Sequence, residues 1–362
     1  MLLSPLENTA FQTFTMSRGA YASRPPRPSS TVSSTSSTSS TSSRTCAVSL
    51  DFPSIQKLIH TVFRSTRITV EQAERLQSRI HQVYLAKLAD GYSLVLKYPP
   101  PANVRLLRHE KHTLDSEVRA LETLHQHTQI PVPRIIKYDS HGGQFGSPYL
   151  MLSHLPGRRL SQVSSRLTAA ERSTIDRTLG SYVRCLTTIS AQQFGMSHRV
   201  LENRGSQSWS EAFFALLEAA LRDAEDILVT IPYDSIRYYT TKHSHVLDEV
   251  TQPRLVALDV CSPDNVLIDE STKKITGLVG FSNIVWGDVL MSGGLADGSE
   301  AFFEGFGECP LRTGSVKIRL LMYTAYRAIL TIVAHHYRPH SNIDDLKVRR
   351  ELVCALNELA RM

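Results

Sequence analysis

Residues 258–268 read Leu258-Asp259-Val260-Cys261-Ser262-Pro263-Asp264-Asn265-Val266-Leu267-Ile268, and Ile275-Thr276-Gly277-Leu278-Val279 follows shortly afterwards. Turn-forming residues separate short apolar runs here, which predicts three short strands at 255–258, 266–268 and 275–279. Helical periodicity dominates the surrounding sequence, over 168–189, 209–231, 235–250, 315–336 and 344–361. We therefore predict a compact β insertion within a helical domain.

The chain before residue 154 has a different pattern. A short amphipathic helix near 55–63 precedes two alternating segments, 80–88 and 92–98, which the turn Ala89-Asp90-Gly91 joins into a hairpin. A helical pattern over 104–127 stops at Ile130-Pro131-Val132-Pro133, and strands are predicted at 134–138 and 149–152. The predicted order is two strands, one helix and two more strands.

Several short motifs within this order resemble one protein family. They are Ser93-Leu94-Val95-Leu96-Lys97, Leu107-Arg108-His109-Glu110-Lys111-His112-Thr113-Leu114, Ile130-Pro131-Val132-Pro133, Pro148-Tyr149-Leu150-Met151, Leu155-Pro156-Gly157, Ser262-Pro263-Asp264-Asn265-Val266-Leu267-Ile268 and Ile275-Thr276-Gly277. The chain resembles the aminoglycoside phosphotransferase and choline-kinase-like family, most closely its large fungal set. The resemblance covers nearly everything after residue 51. It implies an α+β, bilobal, protein-kinase-like fold, with a small β-rich N-lobe over 51–153 and a larger helical C-lobe over 154–362.

The resemblance assigns a nucleotide-binding role to Lys97. This lysine ends an alternating strand, where kinase-like folds place the lysine that binds the α- and β-phosphates of ATP. Glu117 lies in the following helix at a spacing suited to an ion pair with Lys97, and Glu110 is the competing partner. The segment expected to cover the phosphates, 76–83, contains no glycine. We therefore predict that Lys97 and Glu117 bind nucleotide behind an atypical phosphate loop.

Two acids that this family uses for catalysis are missing. Its catalytic loop has the pattern His-Gly-Asp-x-x-x-x-Asn, in which Asp is the general base and Asn binds magnesium, and a second magnesium-binding Asp follows some fifteen residues later. Aligned on Asn265, the base position is Val260 and the second acid is Gly280. Asn265 remains as a metal ligand, so the resemblance implies weakened magnesium binding.

An alternative register keeps one of the acids. If the motif is counted from Asp259, this residue becomes the general base and Asp264 takes the place of the metal-binding amide. The register shifts strand 266–268 by one residue, which exchanges its two faces, and it still provides no acid near residue 279. Asp259 is therefore the candidate catalytic residue only in this alternative.

The first fifty residues have the composition of a disordered tail. Fourteen of the fifteen residues from Ser29 to Ser43 are Ser or Thr, and such a segment buries too little apolar surface to offset its ordering entropy. The tail is rich in Arg and Ser and contains Glu7 as its single acid. We predict a cytoplasmic protein with a disordered leader, and a mitochondrial transit peptide is the alternative.

Composition argues against several other classes of protein. The net charge of the 362 residues is +6, but both signs are mixed through residues 51–362, which predicts no nucleic-acid footprint. The most apolar segment, 320–334, contains Arg327 and is shorter than the roughly 20 residues of a membrane span. The five cysteines show no short pairing pattern, which fits a reduced compartment.

Together these patterns predict a phosphotransferase-like protein with compromised catalysis. The leading hypothesis is a pseudokinase that binds a small molecule, a nucleotide or a protein partner, with a role in fungal specialised metabolism. One alternative is an active ATP-dependent kinase that phosphorylates a small-molecule hydroxyl with Asp259 as base, and another is a decayed gene product without activity. The histidines at 109 and 112 are expected at the surface of a helix.

Overall fold

The computed structural model describes residues 51–143, 146–310, 314–339 and 343–362, so the predicted disordered tail lies outside the described residues. The helices are α1 (Phe52–Phe63), α2 (Thr113–His127), α3 (Leu160–Val163), α4 (Ala169–Leu186), α5 (Ser197–Leu201), α6 (Trp209–Glu225), α7 (Tyr233–Lys242), α8 (Gly293–Asp297), α9 (Glu300–Phe306), α10 (Gly314–Tyr337) and α11 (Asp345–Ala360). The strands are β1 (Val70–Leu76), β2 (Gln82–Leu88), β3 (Ser93–Tyr98), β4 (Ile135–Asp139), β5 (Tyr149–Ser153), β6 (Arg158–Arg159), β7 (Gly195–Met196), β8 (Arg254–Ala257), β9 (Val266–Ile268), β10 (Ile275–Leu278) and β11 (Ile284–Gly287). An antiparallel N-terminal sheet followed by a helical region confirms the predicted α+β fold.

The N-terminal sheet has five strands in the order β1-β2-β3-β5-β4, each antiparallel to its neighbour. Four of them were predicted, and β1 was missed. It is an edge strand in which Val70 alone is buried, so its sequence lacks the alternation of a half-buried strand. In β3 alternate residues are buried, which places Leu96 and Tyr98 in the core on one face and Lys97 on the other.

The predicted β insertion divides between two small sheets. Strands β9 and β10 form a hairpin, and β6 pairs with β9 on its other side. Strand β11 lies between β7 and β8 and pairs with both. All four residues of β11 are buried, and this strand was missed because a short apolar run carries no periodicity. The segment 258–265 therefore connects one sheet to the other.

The helix predicted over 104–127 is interrupted. Arg108–Glu110 form a 3₁₀ turn, and α2 begins only at Thr113. The amide of Leu107 donates to the Glu110 carboxylate at 2.8 Å, and the amide of Arg108 donates to Asp223 of α6 at 2.9 Å. Because these amides are satisfied by side chains, one of them distant in sequence, local periodicity could not predict the break.

Three apolar clusters form the core. One lies between α1 and the outer face of the N-terminal sheet, and another joins α6, α10 and α11. The third combines α2 and β5 with α4 and the strands around residues 255–286. This middle cluster draws on both sides of residue 153, so the two-lobe boundary stays a prediction. Within the described ranges, no helix is both long and apolar enough to span a bilayer.

Candidate functional site

The inner face of the N-terminal sheet carries a nearly buried ion pair. Lys97 Nζ lies 2.5 Å from Glu117 Oε1, and the two side chains are 15% and 2% exposed. The second carboxylate oxygen of Glu117 is buried and has no hydrogen-bond partner in the described chain. Because a buried carboxylate is costly without a cation, this pair ties α2 to β3.

Glu110, the competing partner for Lys97, is used elsewhere. Its carboxylate accepts from Arg338 Nη2 at 2.5 Å, and the two side chains are 6% and 15% exposed. On the same turn, Arg108 pairs with Asp223 at 2.5 Å. The 3₁₀ turn that precedes α2 is therefore held by charges from the C-terminal helical region, and the expectation that Glu110 lies on α2 is wrong.

The segment expected to cover the phosphates brings a histidine towards the ion pair. His81 is 9% exposed, and its Nε2 lies 2.9 Å from Thr113 Oγ1 at the start of α2. Burial and then the charge of Lys97 lower the pKa of His81 to about 4. The imidazole is therefore neutral at neutral pH. Sequence reasoning missed this residue, although a histidine in a segment expected to contain glycine was a visible signal.

The catalytic-loop segment directs Asp259, rather than Val260, out of the core. Val260 is 1% exposed and packs within the middle apolar cluster. Asp259 is half-buried, and its Oδ2 accepts from Asn283 Nδ2 at 3.2 Å. The main-chain carbonyl of Asp259 accepts from Asn265 Nδ2 at 2.8 Å. Asn283 carried no recognisable signal in the sequence, since only the fold brings β8 and β11 together.

Gly280 lies against Asn265, as the first register expects for the second acid. Its φ is +85°, and a Cβ built on it would fall 2.5 Å from the Cγ of Asn265. The Val279 amide also donates to the Asn265 carbonyl at 2.9 Å. An acidic side chain therefore has no room at residue 280 unless Asn265 moves. The Asp264 carboxylate contacts a different segment, since its Oδ1 accepts a hydrogen bond from Ser161 Oγ at 2.6 Å.

These residues make a poor magnesium site. Magnesium prefers about six oxygen ligands in near-octahedral geometry and is usually held by carboxylates together with phosphates. Asn265 donates its amide nitrogen to a carbonyl, which leaves its Oδ1 as the available ligand atom, whereas Gly280 supplies no side-chain oxygen. Over the described ranges, no group of three or more His, Cys, Asp or Glu side chains could hold a metal ion. This segment thus offers fewer side-chain oxygens than the motif of the family, which fits the expectation of weakened rather than normal magnesium binding.

The charge of Asp259 acts on two residues that line a cavity. Burial lowers the pKa of His109, and the nearby carboxylates of Glu110 and Asp259 oppose that shift. Burial and the charges of Asp223 and Asp259 raise the pKa of Tyr326. Both residues line a cavity of about 170 Å³. His109, which was expected at the surface, is half-buried, whereas His112 is exposed.

Comparison with known proteins agrees with this architecture. The profile of the family described as "Phosphotransferase enzyme family" matches residues 72–291, which is more than half of the chain. No curated protein sequence matches the chain.

Solved structures show the same fold at low sequence identity. A protein provisionally described as fructosamine-3-kinase, from Thermobifida fusca, superposes with a TM-score of 0.59 at 17% identity, covering 85% of this chain and 99% of that one. A thermostable mutant of aminoglycoside phosphotransferase APH(4)-Ia, in ternary complex with AMP-PNP and hygromycin B, gives 0.61 at 14% identity, covering 85% and 100%. The streptomycin-ATP-APH(2")-IIa ternary complex gives 0.56 at 14% identity, covering 87% and 97%.

The superpositions show the fold, and the residues that the profile matches include Lys97, Glu117 and the segment around Asn265. The chain therefore belongs to the phosphotransferase enzyme family.

Proposed function

We propose that this protein binds a nucleotide at the Lys97–Glu117 pair without efficient phosphate transfer, and therefore acts as a pseudokinase. The observation that carries the proposal is that glycine stands at residue 280, directly against Asn265, so the position of the second acid supplies no carboxylate. The buried ion pair supports nucleotide binding, because it sits where the resemblance places the phosphate-binding lysine.

The expected loss of rate is large. A metal ion stabilises the developing charge of phosphoryl transfer by several kcal/mol, and a site without carboxylate ligands forgoes most of that contribution. A misplaced general base removes a further factor of about 10²–10⁴, although such losses do not simply add. Nucleotide binding through Lys97 requires neither acid, so we expect binding to remain where catalysis is lost.

The orientation of Asp259 favours a second candidate function, an active small-molecule kinase. Its carboxylate leaves the core, is held by Asn283 and acts on His109 and Tyr326 beside the cavity. A general base must reach the acceptor hydroxyl, and Asp259 satisfies this better than the buried Val260. Such an enzyme would have to transfer phosphate with a much weakened metal site.

Thermal unfolding with ATP tests the binding proposal. If Kd is about 0.1 mM, about 5 mM ATP stabilises the fold by roughly 2.3 kcal/mol and raises Tm by a few degrees. The rise should be similar with magnesium and with EDTA. Lys97→Met should abolish it, whereas Lys87→Met, at an exposed lysine of the neighbouring strand, should preserve it. A rise seen only with magnesium would contradict the proposal.

Turnover decides between the two candidate functions. We expect ATP hydrolysis and phosphate transfer by the wild-type protein at background level, unchanged in Asp259→Asn. Asp248→Asn, at an exposed aspartate outside the motif, is the matched control. Measurable turnover that Asp259→Asn abolishes and Asp248→Asn preserves would establish the kinase and overturn the pseudokinase.

A further inference from the structure

The cavity beside Asp259 is built around small side chains of α6. Five residues at helical spacing, Ala212, Ala215, Leu216, Ala219 and Ala220, line it from one face of this helix. Four of them are alanines, whose short side chains leave space between α6 and both β7 and the turn Arg108–Glu110. Larger side chains at these positions would fill that space. The resulting volume is about 170 Å³.

The opposite wall is polar and contains an unsatisfied group. Tyr326 and the histidines at 109 and 198 line it. The His198 ring stacks on His112 with 4.4 Å between centroids, which fixes its plane. Its Nδ1 atom is buried and has no hydrogen-bond partner in the described chain. Because a buried polar atom is normally paired, this nitrogen indicates a ligand group that is supplied from outside the chain.

The charge of the lining excludes a polycationic ligand. The charged residues on the wall are Arg108 and Arg199, and no Asp or Glu lines the cavity within the described residues. Arg108 is already paired with Asp223 and Asp226. A molecule with several ammonium groups would therefore find no carboxylate on the lining to pair with, and it would lose hydration against the apolar face of α6.

The volume limits the part of a ligand that the cavity encloses. An engineered apolar cavity of about 150 Å³ in another protein holds one benzene molecule. The present cavity is slightly larger, so it accommodates an apolar body of roughly six to ten non-hydrogen atoms.

We propose that this cavity binds a small uncharged molecule with an aromatic or alicyclic body against α6 and a single hydroxyl group bonded to the histidine and tyrosine wall. The inference rests on the proposed function as a binding protein, and it gives the class of the small molecule. Polyamine sugars of the kind named in the related complexes are excluded from this cavity.

Ligand-observed NMR on the full chain tests the inference, with benzyl alcohol as the probe. Toluene lacks the hydroxyl, benzylamine carries a cation, and kanamycin is a polycation. We expect benzyl alcohol to bind about tenfold more tightly than toluene or benzylamine, the equivalent of one hydrogen bond, and kanamycin not to compete. Ala219→Leu and Ala215→Leu should each weaken benzyl alcohol at least about tenfold by filling the space, whereas Ala170→Leu, at an exposed alanine of α4, should have no effect.

Other results would overturn the inference. Equal affinity for toluene and benzyl alcohol would reduce the site to an apolar void, and competition by kanamycin would show a polycation site. Binding that survives both α6 substitutions would place the probe elsewhere. Ala215 is exposed, so its leucine variant is tolerated even if Ala219→Leu does not fold. If benzyl alcohol binds but ATP gives no Lys97-dependent rise in Tm, only the proposed nucleotide binding is contradicted. If ATP gives that rise but benzyl alcohol does not bind, only the proposal for the cavity is contradicted.

Discussion

Replacing Gly280 with alanine should destabilise the protein more than the same change at two other glycines. Gly280 combines a φ of +85° with the Asn265 side chain 2.5 Å from the position of a Cβ. Gly91 has nearly the same φ, +86°, but a Cβ there meets nothing within 4 Å. Gly293 has neither a positive φ nor a close neighbour. The three positions therefore separate backbone strain from steric overlap.

The magnitude follows from these two effects. A left-handed backbone costs a non-glycine residue about 1–2 kcal/mol. Forcing a side chain into packed surroundings adds about 1–3 kcal/mol. We therefore expect losses of about 2–5 kcal/mol for Gly280→Ala and about 1–2 kcal/mol for Gly91→Ala, with little change or a slight gain for Gly293→Ala.

Urea unfolding followed by circular dichroism measures these losses. The urea midpoints give the ranking, provided that the slope of the transition is unchanged. In the Asn265→Gly background, Gly280→Ala should lose its steric component and cost about as much as Gly91→Ala. If Gly280→Ala costs no more than Gly91→Ala in the wild-type chain, the contact does not exclude a side chain at residue 280. The argument against a restored magnesium site would then fail.

Three further predictions concern the surroundings of the site. Arg338→Met should cost about 3–5 kcal/mol in urea unfolding, because it leaves the buried Glu110 carboxylate without its cation, whereas Arg361→Met at an exposed pair should be silent. The pKa of His81 is 6.5 in the unfolded chain and about 4 in the folded one, so the unfolded chain takes up the proton first as pH falls. The free energy of unfolding should therefore decrease as pH falls from 6.5 to about 4, and His81→Gln should make this dependence on pH weaker. Val260→Asp should lower Tm without creating phosphate transfer, because it buries a carboxylate in the apolar cluster; turnover gained by this variant would show that the side chain reaches the cleft.

The fold class followed from patterns that local sequence carries. The alternation over 92–98 predicts a strand with one buried face, and alternate residues of β3 are indeed buried. The same alternation places Lys97 on the opposite face. The patterns over 168–189, 315–336 and 344–361 match α4, α10 and α11 within a few residues. Two other helices are shorter than predicted, since α6 ends six residues before 231 and α7 ends eight residues before 250. Periodic burial of one face determines both kinds of element, so one sequence suffices to find them.

The details of the site depend on contacts that no local pattern contains. The break before α2 is made by Asp223, more than a hundred residues away from Arg108. The orientation of Asp259 depends on Asn283 of a neighbouring segment. The cavity lies between the alanine face of α6 and polar residues from other elements. The spacing of the alanines could not predict it, because the same spacing is typical of helices that pack closely together. Long-range partners of this kind become visible only once the fold is known.

The packing around Asn265 bears on whether the chain is a retained binding protein or a decayed one. Losing catalytic acids at random should leave polar groups stranded in the loop, because the motif normally pairs them with a metal and substrate. Here Val260 adds apolar burial, the Asn265 amide has a carbonyl partner, and Gly280 adopts a backbone conformation suited to glycine. The buried atoms left without partners include Asn283 Oδ1 beside Asp259 and His198 Nδ1 at the cavity. The segment around Asn265 is thus largely packed as a structural element, and the unsatisfied nitrogen at the cavity is the feature that favours a retained binding site over decay.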